Sequence, residues 1–378
     1  MVTLTLNVEA ALIGSRLKKN QSIKISNGYI ESISDSHSYS DNHSAVKPLC
    51  GTLVPGFIDI QVNGGGGFLF NHSPDCETLL QIAKAHQCFG TTGWMPTLIT
   101  DSVEKMEQAA NAVSEAIQNQ SSGIIGIHFE GPHISTEKKG IHKASFIRQL
   151  SEQEKYIYSR NDIGKVMITI APEAVSPSLI KQLVDMGVVV CLGHSNATYE
   201  QTQQSIESGA SGFTHLFNAM SQFNSREPGM VGAALASSSS SYGLIMDKIH
   251  VHPCAALAAY KANPNMMLVT DAMPIVGCED KEFDYFGETI FLKDNKLIDS
   301  EGRLAGSAIN MHQAFLNAMD VLSISIEKAT ELATTNAARF LSLDDQEEIA
   351  VGQKANFILL DQHNNISEVW CEGKTILQ

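Results

Sequence analysis

The chain has 378 residues, 43% hydrophobic and 18% charged, with a formal net charge of −15. That length suits one large domain with a smaller appendage, and the composition is that of a soluble globular protein. No run approaches the ~18 uninterrupted apolar residues a membrane span needs, and the acidity disfavours nucleic acid and anionic membrane as partners.

The N-terminus, MVTLTLNVEAALIGSRLKKN, carries its basic residues after its apolar stretch, the reverse of a secretory signal. Residues 1–50 contain LTLNV, SIKIS and GYIESIS, short strand signals separated by Asn-Gly and Ser-rich turns. From about 53 to 271 the pattern changes to short β-like runs alternating with longer helical stretches. Eight such runs fall near 53–63, 91–100, 124–130, 166–173, 188–194, 211–217, 242–250 and 267–272. Between them lie helical stretches such as DCETLLQIAKAHQCFG, DSVEKMEQAANAVSEAIQNQ, SPSLIKQLVDMG and TYEQTQQSIESG. A β patch at 283–302 reads as a hairpin insertion, two helices follow at 307–321 and 326–340, and the C-terminus returns to strand signals.

Eight strands alternating with helices predict an α/β fold, a (β/α)8 TIM-like barrel. A doubly wound sheet alternates similarly. It would gather its chemistry at one switch point, whereas the candidate residues here end several different runs. The expected domains are a catalytic barrel over 51–345, carrying the hairpin, and a small β-sandwich from 1–50 plus 346–378. The seven cysteines are scattered and form no CxxC pair. They read as reduced thiols in a cytoplasmic protein, with Cys191 a core residue.

Four polar residues end four of the runs: Glu130 in HFEGPH, His194 in LGHSNAT, His215 in THLFNAM and Asp271 in VTDAM. Alone, each has an ordinary structural reading: a solvated glutamate, a core or capping histidine, a helix N-cap aspartate. Together they make one carboxylate and two imidazoles, the ligands of an open divalent-metal site, with a second carboxylate as general base. His250 ends the seventh run and His252 follows two residues later; His250 is expected to face inward and donate to a carbonyl oxygen. His128 shares the parity of Glu130 and should point inward one layer below. The first run offers Gln61 and Asn63 where many metal barrels carry His-x-His, so the site reads as mononuclear. Gly64–Gly67 fit neither a P-loop nor a dinucleotide fingerprint and read as a tight, flexible rim loop. Arg226, in NSREPG, is a candidate phosphate clamp in an otherwise acidic protein.

At these residues the chain resembles the N-acetylglucosamine-6-phosphate deacetylases of the amidohydrolase superfamily. The resemblance runs along nearly the whole chain, through PGFIDIQVNGGGG, HFEGPHIS, KKGIH, GHSNAT, THLFNAM, REPG, HVHP, VTDAM, TTNAARFL and GQKANFILLD. It implies one divalent ion per subunit, zinc or iron, on Glu130, His194 and His215. It implies Asp271 as catalytic acid/base and His250 as the group that polarises the acetyl carbonyl. His142, Asn218, Ala219 (through its N–H) and Arg226 would contact the phosphorylated amino sugar, in a homodimer where Arg226 reaches the neighbouring site. The chain departs from the family pattern at Asp247-Lys248-Ile249, where Asp-Gly-Leu is expected before His250. The expected reaction is hydrolysis of N-acetylglucosamine 6-phosphate to glucosamine 6-phosphate and acetate. The N-acetylgalactosamine epimer is an open alternative. A cyclic amidase is disfavoured by Gln61 and Glu130, and a catalytically dead scaffold by the retention of all four chemical residues.

Overall fold

The eight apolar runs become the parallel strands of one barrel. The computed structural model describes residues 3–36, 49–119, 123–345 and 348–377. The strands are β1 (Phe57–Val62), β2 (Thr91–Ile99), β3 (Gly126–Glu130), β4 (Lys165–Ile170), β5 (Val189–Leu192), β6 (Gly212–Phe213), β7 (Ser241–Ile245) and β8 (Met266–Val269). Each pairs in parallel with the next. The ring closes between the ends of β8 and β1: Val62 bridges Ala272, and Asp271 N–H donates to the Gln61 carbonyl at 2.9 Å. Every residue of β1 and β2 is buried. Strands covered on both faces read as continuous apolar runs, which is why the pattern was visible in the sequence.

Helices separate the strands, and several of them are capped. Asp75 accepts from Thr78 N–H at the start of Cys76–Gln87, Ser102 caps Val103–Gln118, and Thr198 with Gln201 forms a capping box for Tyr199–Glu207. Inside the barrel His128 faces inward as expected. Its Nε2 lies 2.7 Å from Thr169 Oγ1 and its Nδ1 3.2 Å from Thr97 Oγ1, and Thr169 passes the chain on to Thr214 at 2.7 Å. Burial pushes the His128 imidazole down to about 4, so it is a neutral member of a threonine network, a core histidine beneath the site.

The two chain termini share one seven-stranded sheet. Leu49–Pro55 pairs in parallel with Thr3–Ile13 and antiparallel with Phe357–Leu360, joining the N-terminal meander to the C-terminal one. The sheet folds back on itself: a Cβ on Gly373, in one turn, would stand 2.9 Å from Ile25, and one on Gly28, in another, 3.1 Å from the Glu372 carbonyl. Leu6, Val8, Ile23, Ile25, Phe357 and Trp370 fill the space between its halves. Residues 37–48 and 346–347, within the spans expected for this small domain, lie outside the described residues.

After β8 comes a three-stranded antiparallel insertion of Glu282–Tyr285, Glu288–Lys293 and Lys296–Ile298. Helix Met311–Leu322 follows. The last expected helix is α-helical over Ile326–Thr330, widens to a π turn over Glu331–Thr335 and resumes over Asn336–Leu341. Among the described residues no helix is long and apolar enough to cross a membrane.

Candidate active site

The strand-end residues reach the pocket through unusual backbone. Glu130 closes β3, while His194, His215 and Asp271, just past β5, β6 and β8, have φ of 48°, 31° and 51°. Positive φ is disfavoured for non-glycine residues by on the order of 1 kcal/mol or more. Three such residues past three strand ends turn their side chains towards one point.

Glu130 Oε1 lies 3.1 Å from His215 Nε2 and 3.3 Å from His194 Nε2, and the two ring nitrogens are 2.9 Å apart. His194 Nδ1 is 2.8 Å from the Lys138 carbonyl. A carbonyl only accepts, so Nδ1 carries the proton and Nε2 presents its lone pair to the Glu130 carboxylate. Two electron-rich atoms facing each other call for a cation. The ligand atoms of Glu130, His194 and His215 lie within 4.8 Å of one another, all three residues buried. The donor set fits a divalent metal with positions left open.

Asp271 faces this trio. Asn63 Nδ2 donates to its Oδ1 at 2.7 Å and Gln61 Nε2 at 3.2 Å, and Gln61 also donates to Glu130 Oε1 at 2.9 Å. The amides of the first strand thus bind the two carboxylates. Burial, followed by the charge of Glu130, pushes the Asp271 carboxyl up to about 6. Burial pushes Glu130 up too, yet the His194 and His215 rings beside it outweigh that and hold the carboxyl well below the usual range. Burial depresses His215, and its bond to Glu130 reverses the sign, leaving the imidazole raised. Beneath them the buried Asp59 accepts from the Thr270 hydroxyl and from the Thr270 and Gln61 N–H groups, tying β8 to β1 under the base.

His250 Nδ1 lies 2.6 Å from Asp247 Oδ2, and Asp247 Oδ1 accepts from Ile249 and His250 N–H at 2.8 Å. His250 lines the pocket, while His252 caps helix Pro253–Ala262. Lys248, where glycine was expected, has φ 65° and pairs with Asp320 at 2.7 Å. The left-handed strain is about 1 kcal/mol, and an exposed ion pair contributes at most about as much. Lys248→Gly is therefore expected to shift the melting temperature by no more than about 2 °C and to leave turnover unchanged; a calorimetric scan checks it.

The pocket has a volume of about 330 Å³ and takes in Asn63, Glu130, His142, His194, His215, Asn218, Ala219, His250 and Asp271. His142 Nδ1 lies 2.7 Å from Thr100 Oγ1, its Nε2 3.8 Å from Glu130 Oε2, and burial holds it well below the usual imidazole range. Arg226 is exposed and does not line this pocket. Gly64–Gly65 pairs with Phe68–Leu69, and Gly64 N–H bonds Ala272, so the glycine segment is a pinned hairpin where a flexible loop was expected. Sequence reasoning missed Thr100, the Lys138 carbonyl and the apolar wall of Ile99, Ile141 and Met273. A backbone carbonyl has no sequence signal, and the wall residues look like any core. A larger cavity of about 840 Å³ opens beside Asp247 and Lys248, with no convergent ligating groups among the described residues.

Comparison with known proteins places this geometry. Residues 52–376 match the Amidohydrolase family. The chain is 45% identical to N-acetylgalactosamine-6-phosphate deacetylase of Shewanella sp. (strain ANA-3), covering 97% of this chain and 94% of the relative. It is 32% identical to N-acetylglucosamine-6-phosphate deacetylase of Haemophilus influenzae, over 85% and 86%. Among solved structures, N-acetylglucosamine-6-phosphate deacetylase from Pasteurella multocida superposes with a TM-score of 0.93 at 31% identity, covering 99% of both chains. A mutant of the Mycobacterium smegmatis enzyme in complex with N-acetyl-D-glucosamine-6-phosphate gives 0.92 at 28%, covering 100% of both.

Proposed function

The chain belongs to the amidohydrolase family, and from that membership we propose that it hydrolyses the N-acetyl group of N-acetylglucosamine 6-phosphate, releasing acetate and the free amine. The observation that carries this reading is the convergence of Glu130, His194, His215, His250 and Asp271 on one pocket, in a chain that resembles such deacetylases along almost its whole length. A second reading, the galacto epimer as substrate, is favoured by the 45% identity to the Shewanella enzyme.

Glu130, His194 and His215 would hold one divalent ion, zinc or iron. When bound, that ion supplies Lewis-acid polarisation of the acetyl oxygen and lowers the pKa of water. Asp271, steadied by Asn63 and Gln61, takes the proton from the attacking water and later delivers it to the departing nitrogen. His250 faces the acetyl carbonyl. The half-buried Asp247 carboxylate holds the ring through Nδ1 and leaves Nε2 for the acetyl oxygen. A well-aimed donor to the tetrahedral oxyanion is worth on the order of 3 kcal/mol. His142, Asn218 and the Ala219 N–H seat the phosphorylated sugar.

Arg226 would complete the phosphate contact from a second copy of the chain, in a homodimer. Its exposure supports this, as does Phe223, 63% exposed three residues away on the same loop. Phosphate binding is largely uniform between ground and transition states, so Arg226→Ala is expected to raise KM roughly tenfold or more with little change in kcat; steady-state kinetics checks it. Acetate release from the gluco and galacto 6-phosphates and from unphosphorylated N-acetylglucosamine, with metal-replete enzyme, tests the whole reading. Preference for one phosphorylated epimer decides between the two readings, and no release from any of the three overturns both.

A further inference from the structure

The insertion after β8 turns from Glu282–Tyr285 into Glu288–Lys293 on two residues, Phe286 and Gly287, with φ of 52° and 84°. Two positive φ in succession make the type I′ turn that fits a twisted ribbon, and its first central position favours Asn, Asp or Gly. Phenylalanine is out of place there. A bulky residue stays in left-handed backbone only where its surroundings over-determine it.

Those surroundings are present. Lys143 Nζ stands 4.5 Å from the centre of the Phe286 ring, close enough for a cation–π contact. The Phe146 ring lies at 6.3 Å, and the His72 ring meets Phe286 edge-on at 6.3 Å. Lys143 and Phe146 belong to the segment after β3 and His72 to the segment after β1, so the insertion tip grips two parts of the barrel rim. The segment after β3 also supplies Glu137, Lys138, Gly140, Ile141 and His142 to the pocket wall. Its Lys138 carbonyl fixes the His194 ring. Behind that wall Ile99, Ile141 and Met273 share one apolar cluster with Tyr285, Phe286 and Ile290.

We infer that Phe286 is a positioning residue: the insertion tip clasps residues 136–146 against the barrel mouth and orders the wall on which the substrate seats. The kinetic part of this inference rests on the deacetylase reading; the clasp does not.

The test is Phe286→Asn, which suits the turn better than the native residue, alongside Lys143→Met, both in the metal-loaded full chain. Phe286→Asn is expected to melt at or above the native temperature. Amide hydrogen exchange across 136–146 should quicken, and KM should rise roughly threefold to tenfold with kcat within about twofold. Lys143→Met should act in the same direction, and the double variant should fall short of the sum. Unchanged exchange across 136–146 in Phe286→Asn overturns the inference. So does a lowered melting temperature with faster exchange throughout the insertion, because Phe286 would then support the fold itself. Fully additive effects would break the link to Lys143 and overturn it as well. Exchange needs no substrate, so failure of the native enzyme to release acetate would remove the deacetylase reading and leave the clasp to be decided by exchange alone.

Discussion

Asp271→Asn is expected to lower turnover by on the order of 10³-fold or more while metal content and melting temperature stay near those of the native protein. Asparagine keeps the carbonyl oxygen that accepts from Asn63 at 2.7 Å and from Gln61 at 3.2 Å, so the local hydrogen bonds survive. It cannot take a proton. It also ends the repulsion between the Asp271 and Glu130 carboxylates that, after burial, pushes the Asp271 carboxyl up to about 6. The same value gives the sign of the pH dependence. A base works only when ionised, so kcat/KM of the native enzyme should fall as pH drops through about 6. A bound cation favours the carboxylate and moves that limb lower, never higher. Metal analysis and a pH–rate profile check both statements. Loss of metal in the variant would make Asp271 a ligand and sink its assignment as the base.

The barrel was readable because its strands are buried on both faces and alternate with longer helical stretches, so the apolar runs stand out at regular intervals. The candidate site was readable where a rare residue type stood at or just past a strand end: Glu130, His194, His215 and Asp271 reach one pocket, and His250, expected to end the seventh strand, reaches it from five residues beyond β7. What escaped the reading has physical reasons. Gln61 and Asn63 looked like lost ligands, and only their positions reveal them as donors to the two carboxylates. Lys248 looked like a departure from a pattern. Its φ of 65° explains why glycine is the expected residue there, and its bond to Asp320 provides a compensating contact. Phe286 carried no signal at all, because an aromatic in a β run is the commonest of sights until its backbone angle is known. Arg226 was singled out by charge, yet it does not line the pocket of its own chain. Composition can call for a cation near a phosphate without saying where in the fold that cation lies.

Glu130→Gln is expected to lose metal and activity together, with metal falling below about a tenth of the native stoichiometry and kcat/KM by on the order of 10³-fold. Without a cation, the Glu130 carboxylate lies between two imidazole nitrogens at 3.1 and 3.3 Å, and one proton has to reconcile these acceptors. His215, raised by its bond to Glu130 in spite of burial, is the group that carries it. A raised imidazole pKa means that the proton is bound below that pKa and competes with metal there. Metal uptake by the native chain should therefore release that proton and weaken as pH falls. Glutamine keeps one neutral acceptor but not the charge, so it neither neutralises a dication nor holds the His215 proton. Calorimetric titration of metal-free protein with zinc, in two buffers of different ionisation enthalpy, measures both effects. The native chain should show buffer-dependent heats and the variant almost none. A variant that still binds metal stoichiometrically, or native uptake indifferent to pH, would mean that the cation is held elsewhere and that the Glu130–His194–His215 trio is a hydrogen-bonded core.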